Sequence, residues 1–259
     1  MNNLLQGKKA LILGVANEKS IAWGIAKQMK AQGADIALTY PNDAILKRVE
    51  PLSKELGADF IAKMDVTQEE DFKSLKKTIE EKWGKFDILV HSLAFAKKED
   101  LENKFIETSR DGFLLACEVS AFSLISLCNN LQTIMNDGSS IMTLSYYGSQ
   151  KIIQNYNVMA VAKAALEASC LYLSSDLGPR KIRVNCISAG AIKTLSSYGI
   201  KDFRERYEKT KTMSPMKTEV SIDDVGKTAV FLASDLSTHV TGQTIFVDAG
   251  ISNLARVEV

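Results

Sequence analysis

Ala10-Leu11-Ile12-Leu13-Gly14-Val15-Ala16-Asn17-Glu18-Lys19-Ser20-Ile21-Ala22-Trp23-Gly24 joins a short apolar run to the beginning of a helical pattern. Ala10–Leu13 reads as a strand. Apolar residues at helical spacing from Ile21 to Gln32 read as a helix that stops at Gly33, and Asp35–Tyr40 reads as a second strand. A strand, a helix and a strand in such quick succession predict two parallel strands joined by a crossover helix. The alternation continues with a helix over Asp43–Leu56 closed by Gly57, a strand over Asp59–Met64, a charged helix over Gln68–Trp83 and a strand over Asp87–His91. Long helices over Ser109–Met135 and Asn155–Asp176 bracket a strand at Ser140–Leu144. A strand at Ile182–Ile187, a helix-rich segment from Ile192 to Leu232 and a strand at Thr244–Val247 follow. The pattern predicts an α/β fold: a single-domain, Rossmann-type doubly wound parallel sheet of about seven strands flanked by helices, over residues 1–259.

Composition narrows the function classes. Hydrophobic residues make up 46% and charged residues 24% of the 259, which excludes disorder and a disulfide-stapled miniprotein. The net charge of +1 offers no global basic field, so no nucleic-acid partner is expected. No apolar stretch is expected to approach the ~20 residues that span a bilayer. Met1 to Gly7 lacks the layout of a signal or transit peptide, so a cytoplasmic protein without membrane insertion is expected. Cys117, Cys128, Cys170 and Cys186 form no C-x-x-C pair and read as buried reduced thiols. With only His91 and His239 available, no metal site is expected. Both long helices are apolar nearly all round, with Phe113, Leu114, Phe122 and Ile125 on the first and Val158, Leu166 and Leu171 on the second. A single sheet cannot cover such helices on every side, which predicts a homo-oligomer.

Ligands of doubly wound sheets lie beyond the carboxyl ends of the strands. At the first such end, Gly14 permits a tight turn and the helix that follows aims backbone N–H groups outward, an arrangement suited to a pyrophosphate. Ser20 fits either a helix N-cap or a phosphate ligand, beside Ile21. Only Gly14 and Gly24 stand in this loop, so the spacing is not G-x-G-x-x-G. Asp65 and Val66 could bracket an adenine, with a helix cap as the competing role for Asp65. Ser92, Leu93 and Ala94 follow the fourth strand, where small residues would let a backbone approach a ribose. After the second strand come Tyr40-Pro41-Asn42-Asp43, with neither the usual NAD-type acid nor an adjacent arginine. Lys47 and Arg48 stand further on. The balance leans to NADH and leaves NADPH open.

Tyr156 and Lys163 lie seven positions apart, almost two helical turns, so both project from one face. A phenol near an ammonium is expected to gain acidity and to stabilise a developing oxyanion.

At these residues the chain resembles the short-chain dehydrogenase/reductase superfamily and, more closely, the bacterial enoyl-acyl-carrier-protein reductases of type II fatty-acid synthesis. The resemblance runs from Leu5 to about Ser252 and is carried by Gly14-Val15-Ala16 with Ser20-Ile21-Ala22-Trp23-Gly24, by His91-Ser92-Leu93-Ala94-Phe95-Ala96 and by Leu144-Ser145-Tyr146. Tyr156-Asn157-Val158-Met159, Arg183-Val184-Asn185, Ile187-Ser188-Ala189-Gly190 and Gly199-Ile200-Lys201-Asp202-Phe203 add to it. It implies NADH as cofactor, held by Gly14, Ser20, Ile21, Asp65, Val66, Ser92, Leu93, Ala94, Lys163, Ile192 and Thr194. It implies Tyr146, Tyr156 and Lys163 as the catalytic group, Tyr156 bonding the thioester carbonyl and Tyr146 shaping the pocket. The implied substrate contacts are Ala96, Tyr146, Tyr156, Met159, Ser196, Ile200 and Phe203, beneath a helical cover over about 192–212. The partners implied are an acyl carrier protein bearing an enoyl thioester and further copies of the chain, as a tetramer.

Six basic residues against three acidic ones between Lys193 and Lys211 form a local patch toward which an acidic carrier would be steered. Ala191, Ala160 and Tyr147 depart from the family's usual Pro, Gly and Leu. A ketoacyl reductase of the same superfamily would place Ser where Tyr146 stands. A noncatalytic dinucleotide-binding protein would have no need of Tyr156 and Lys163 together.

Overall fold

In β1 (Lys9–Leu13) successive side chains enter different layers: Ala10 and Ile12 pack into one hydrophobic core, Leu11 and Leu13 into another. The period of two persists across the sheet. Ile88 and Val90 of β4 (Phe86–His91) join the first core and Leu89 the second. Met142 and Leu144 of β5 (Met135–Ser145) face the first, and Ile141 the second. Burial on both faces explains why β1, β4 and the Ile141–Leu144 part of β5 read as continuous apolar runs. With β2 (Asp35–Tyr40), β3 (Phe60–Lys63), β6 (Arg183–Ala189) and β7 (Thr244–Val247) they form one seven-stranded sheet, order β3-β2-β1-β4-β5-β6-β7, every pairing parallel. This computed structural model describes residues 3–200 and 202–254.

Helices cover both faces. α1 (Ile21–Ala31) and α2 (Asp43–Leu56) serve the first core, α3 (Glu69–Trp83) the second. α2 starts where Asn42 Oδ1 accepts from the Ile45 N–H at 3.1 Å and stops at the left-handed Gly57. A short helix, α4 (Lys98–Glu102), stands in a stretch for which the sequence pattern predicted no element.

The long helix expected over Ser109–Met135 is divided. α5 (Arg110–Cys117) runs into a π-helical segment, Glu118–Phe122, and then into α6 (Ser123–Leu131). A 3₁₀ turn over Gln132–Ile134 ends the run, and Met135 already belongs to β5, pairing with Phe86. The second long helix is α7 (Val158–Leu177). α8 (Phe203–Met213) and α9 (Ile222–Ala233) follow, α9 opening on a capping box between Ser221 and Asp224.

The expectation that no apolar stretch approaches membrane-spanning length is corrected here. Arg110–Ile134 and Val158–Arg180 are both long and apolar enough to cross a bilayer. Their inner faces explain half of that apolarity: Leu124, Leu127 and Leu131 of α6 and Leu166 of α7 are buried in the second core. Their outer faces leave Phe113, Leu114, Phe122, Ile125, Leu171 and Tyr172 exposed. Of the four thiols, Cys128, Cys170 and Cys186 are buried and reduced; Cys117, also reduced, is half-buried, not enclosed as expected.

Candidate active site

β1 pairs with β2 on one side and β4 on the other, so the direction of winding reverses at its carboxyl end and opens a crevice there. Gly14 lies at that point with φ +95°. A Cβ on it would fall 2.0 Å from the carbonyl oxygen of Ser92, at the end of β4. Glycine is therefore required both for the backbone conformation and for the approach of the two strand ends.

Ser20 does not cap α1 through its side chain, although it is the backbone N-cap. Its Oγ instead accepts from the N–H groups of Ala16 (3.0 Å) and Asn17 (3.1 Å), folding the loop back over the helix start. With the Trp23 and Gly24 N–H groups donating to the Ser20 carbonyl, the Ile21 and Ala22 N–H groups form the donor set for an anion in the crevice. Asp65 is a turn former, not a helix cap: its Oδ1 accepts from the Thr67 N–H (3.0 Å) and hydroxyl (2.8 Å), while Gln68 occupies the cap of α3. Val66 and Leu93 pack at the edge of the second core, with Ser92 half-buried and Ala94 exposed beside them.

The chemical end is built by β5 and α7. Lys163 is buried, and its Nζ donates to the carbonyl of Leu144 at 2.6 Å. An ammonium carries three donors, so two remain for a ligand. Burial brings its pKa down to about 8, with Cys186, Glu167 and Cys170 opposing the fall. Tyr146 and Tyr156 meet edge to face with ring centroids 5.0 Å apart, and Tyr147 packs edge-on to Tyr146 at 4.7 Å. The expected gain in phenol acidity is not found. Burial raises the Tyr156 pKa, and the nearby Glu167 carboxylate adds to the rise, so the hydroxyl stays protonated. Tyr146 is likewise held well above the usual tyrosine value, chiefly by burial.

Beneath these groups His91 is fully buried between Thr143 Oγ1 (2.7 Å from Nδ1) and Ser123 Oγ (2.8 Å from Nε2). The Ser123 hydroxyl donates to the Val119 carbonyl, so it accepts from Nε2–H and the ring is the neutral Nε2 tautomer. Burial, reinforced by the Lys163 charge, drives the His91 pKa down to about 3. His91 therefore joins β4, β5 and the start of α6 without carrying charge.

Five of the expected substrate residues converge. Tyr156 and Met159 form a third apolar cluster with Leu101, Ala116 and Val158, and Ala96, Tyr146 and Ile200 pack against it. Ala160, which departs from the family's glycine, adds its methyl there. Ser196 is exposed. Phe203 joins an aromatic row, with Tyr198 at 5.9 Å and Tyr207 at 6.1 Å. Ile192 is buried in the first core, and Thr194 is bound reciprocally to Ser197, whose Oγ accepts from its N–H at 2.8 Å. Arg206 donates to the Gln154 carbonyl (2.7 Å) and Asn155 to Asp202 (3.4 Å), fastening the segment to the chain just before Tyr156.

Three lysines of the basic patch are held in ion pairs, one of them by an acid from outside the segment. Lys193 pairs with Glu208, Lys209 with Glu205 and Lys211 with Glu219, while Arg204 stacks on Tyr198 and Lys201 lies outside the described residues. Among the described residues, no group of three or more His, Cys, Asp or Glu could hold a metal ion.

A family model described as enoyl-(acyl carrier protein) reductase matches residues 14–252. The chain belongs to that family. The enoyl-[acyl-carrier-protein] reductase [NADH] 1 of Rhizobium meliloti is 50% identical over 249 residues, which cover 96% of this chain and 92% of that protein. The enoyl-acyl-carrier-protein reductase of Anaplasma phagocytophilum, solved in complex with NAD, has TM-score 0.95 and 44% identity over 100% of this chain and 99% of its own. The Bacillus cereus enoyl-acyl-carrier-protein reductase, solved with NADP⁺ and an indole naphthyridinone, has TM-score 0.96 and 43% identity, covering 99% and 100%.

Two residues of the reductase site were not picked out from the sequence. Glu167 follows Lys163 by one helical turn, a spacing that places it on the same face. Gly148 has no such signal. A Cβ on it would meet Tyr156 Cδ1 at 2.6 Å and Tyr146 Cδ1 at 3.2 Å, so only glycine lets both rings close over the turn. Gly148→Ala should leave the fold and cofactor affinity near the parent's and lower kcat by about ten- to a hundredfold, as expected for displaced reacting groups. Steady-state kinetics with circular dichroism check this; unchanged kcat would remove the constraint.

Proposed function

We propose that this chain is an NADH-dependent enoyl-[acyl-carrier-protein] reductase. It would convert a trans-2-enoyl thioester carried by acyl carrier protein to the saturated acyl thioester. The observation that carries the proposal is the grouping of a buried ammonium, Lys163, and a buried neutral phenol, Tyr156, beside an apolar cluster at the carboxyl edge of the sheet. NADPH remains an alternative cofactor, to be separated by assay.

The residues fit a dinucleotide. Gly14 provides a cradle that a Cβ would fill, the first turn of α1 provides amide donors, and Lys163 keeps two donors for ribose hydroxyls. Ser92, Leu93 and Ala94 would border the riboses, Asp65 and Val66 the adenine, and Ile192 and Thr194 the nicotinamide end. A bound reduced nicotinamide would supply hydride to the β-carbon of the enoyl thioester, and a proton taken up at the α-carbon from solvent would complete the saturated product. Tyr156, protonated and fixed by its buried ring, would donate to the thioester carbonyl oxygen and stabilise the negative charge that develops there. Tyr146, Ala96, Met159 and Ile200 enclose the acyl chain and keep water from it, with Ser196 and Phe203 contributed by a cover over about 192–212 of a single domain.

Three further parts of the reading rest on surfaces and relatives. An acyl carrier protein is the partner that would present the thioester. The exposed apolar row Phe113, Leu114, Phe122, Ile125, Leu171 and Tyr172 supports a homo-oligomer, a tetramer in this reading. A cytoplasmic location accords with such a substrate and with reduced thiols.

Nicotinamide oxidation followed with a trans-2-enoyl thioester and with a 3-ketoacyl thioester, each with NADH and NADPH, tests the reaction. Turnover of the enoyl substrate with NADH is expected. Turnover of the ketoacyl substrate alone would make the chain a ketoacyl reductase, and turnover of neither would make it a noncatalytic dinucleotide binder.

The pH dependence follows from Lys163. Its ammonium is charged below about 8 and is lost as pH rises through that value. The kcat/KM for NADH, which reports groups of the free enzyme, should therefore fall on the alkaline side with a midpoint near 8. A profile flat to pH 10 would contradict the assigned role. For the assembly, sedimentation at micromolar concentration should show an oligomer that Phe122→Glu with Leu171→Glu dissociates; a monomeric parent would refute it.

A further inference from the structure

The Glu167 carboxylate gathers three donors from one short turn. Oε1 accepts from the hydroxyls of Ser145 and Ser149, the latter at 2.7 Å, and Oε2 accepts from Gln150 Nε2 at 3.2 Å. Ser145 ends β5, and Ser149 ends the 3₁₀ turn Tyr147–Ser149. Between them stand Tyr146, Tyr147 and Gly148, whose packing sets the ring of Tyr156. One helical turn earlier, Lys163 holds the Leu144 carbonyl. The same face of α7 therefore grips residue 144 with an ammonium and residues 145, 149 and 150 with a carboxylate.

We infer that Glu167 is a positioning residue, fixing the 145–150 turn so that Tyr146 sets the place of the Tyr156 ring. This rests on the reductase reading above. An ionised carboxylate is an acceptor-only group, which matches the donors that converge on it. The turn's own backbone supplies the hydrogen bonds Ser149 N–H to the Tyr146 carbonyl (2.9 Å) and Gln150 N–H to the Tyr147 carbonyl (3.0 Å). These bonds close the turn on itself without orienting it against α7, and the Glu167 contacts do that. A competing role would be electrostatic support of Lys163. Cys170 on α7, Cys186 on β6 and His91 on β4 also face that ammonium, so Glu167 is not its only charged or titratable neighbour.

The experiment compares the full-length parent with Glu167→Ala, Glu167→Gln and the pair Ser145→Ala with Ser149→Ala. Enoyl-thioester kcat, NADH affinity by fluorescence and sedimentation are measured for each. Positioning predicts that Glu167→Ala lowers kcat about tenfold with NADH affinity within about twofold. Glu167→Gln, which keeps the shape and loses the charge, should recover to within about threefold, and the serine pair should reproduce the loss with the carboxylate in place. The inference is overturned if Glu167→Ala keeps kcat within about twofold. It is equally overturned if Glu167→Gln is as poor as Glu167→Ala and binds NADH weakly, or if the serine pair has no effect. A parent inactive on the enoyl thioester would instead overturn the reductase reading and this inference with it.

Discussion

The hydrogen bond from Lys163 to the Leu144 carbonyl fastens α7 to the carboxyl end of β5 at the crevice. A buried ammonium is costly unless its donors are used, and here one is spent on the scaffold itself. The consequence is geometric. With α7 held to β5 at residue 144, the next residues can only turn away over the helix, and that turn carries Tyr146 to Tyr156. The two cores then fix the remaining freedom, because β5 sends Met142 and Leu144 to one layer and Ile141 to the other. A one-residue slip of β5 would exchange the layers and move the carbonyl that Lys163 needs.

Around that bond the charges divide their work. Tyr156 is buried and neutral, Lys163 buried and within reach of losing its proton, and His91 buried and fixed as a neutral ring. A phenolate could not donate a hydrogen bond, so the same burial that raises the Tyr156 pKa keeps its hydroxyl a donor, as the proposed role requires. The ammonium's two remaining donors suit hydroxyls, not a reacting atom. His91 links three elements beneath the site while adding no charge beside Lys163. The rise in the phenol and the fall in the ammonium have one cause, desolvation, acting on groups of opposite charge type.

Much of this was legible in the sequence, for reasons that can be named. The strands could be read because a doubly covered parallel sheet needs unbroken apolar runs, and Asp35–Tyr40 and Thr244–Val247 begin and end where the pattern placed them. Tyr156 and Lys163 could be paired because helical spacing is a property of the chain alone. What the sequence did not disclose depends on partners distant in the chain. The π segment at Glu118–Phe122 carries no local signal, and Ser120 within it accepts from the Phe95 N–H at 3.1 Å. The contacts of Ser20 Oγ with the Ala16 and Asn17 amides were not foreseen because those amides come within reach only once the loop folds back. The direction of the Tyr156 shift was misjudged because a nearby positive charge can be read from spacing, whereas burial cannot.

The segment over Ile192–Met213 shows how composition and structure can differ in what they say about a surface. As a string it holds a basic excess; as a folded element its lysines are drawn into pairs, Lys193 with Glu208, Lys209 with Glu205 and Lys211 with Glu219, the last an acid from outside the segment. Its firmest ties lead inward: Ile192 sits in the first core, and Arg206 reaches the Gln154 carbonyl two residues before Tyr156. The backbone at Asn155, Asn157 and Asp202 adopts positive φ (62°, 41° and 58°), which costs non-glycine residues energy and persists only where surroundings enforce it. Two of those three residues flank Tyr156, and the third is bonded to one of them. Strain of this kind is relieved when the contacts that impose it are released. The segment over Ile192–Met213 is thus fastened to the same stretch of backbone that orients the Tyr156 ring, so a displacement of one is passed to the other through Asn155 and Asn157.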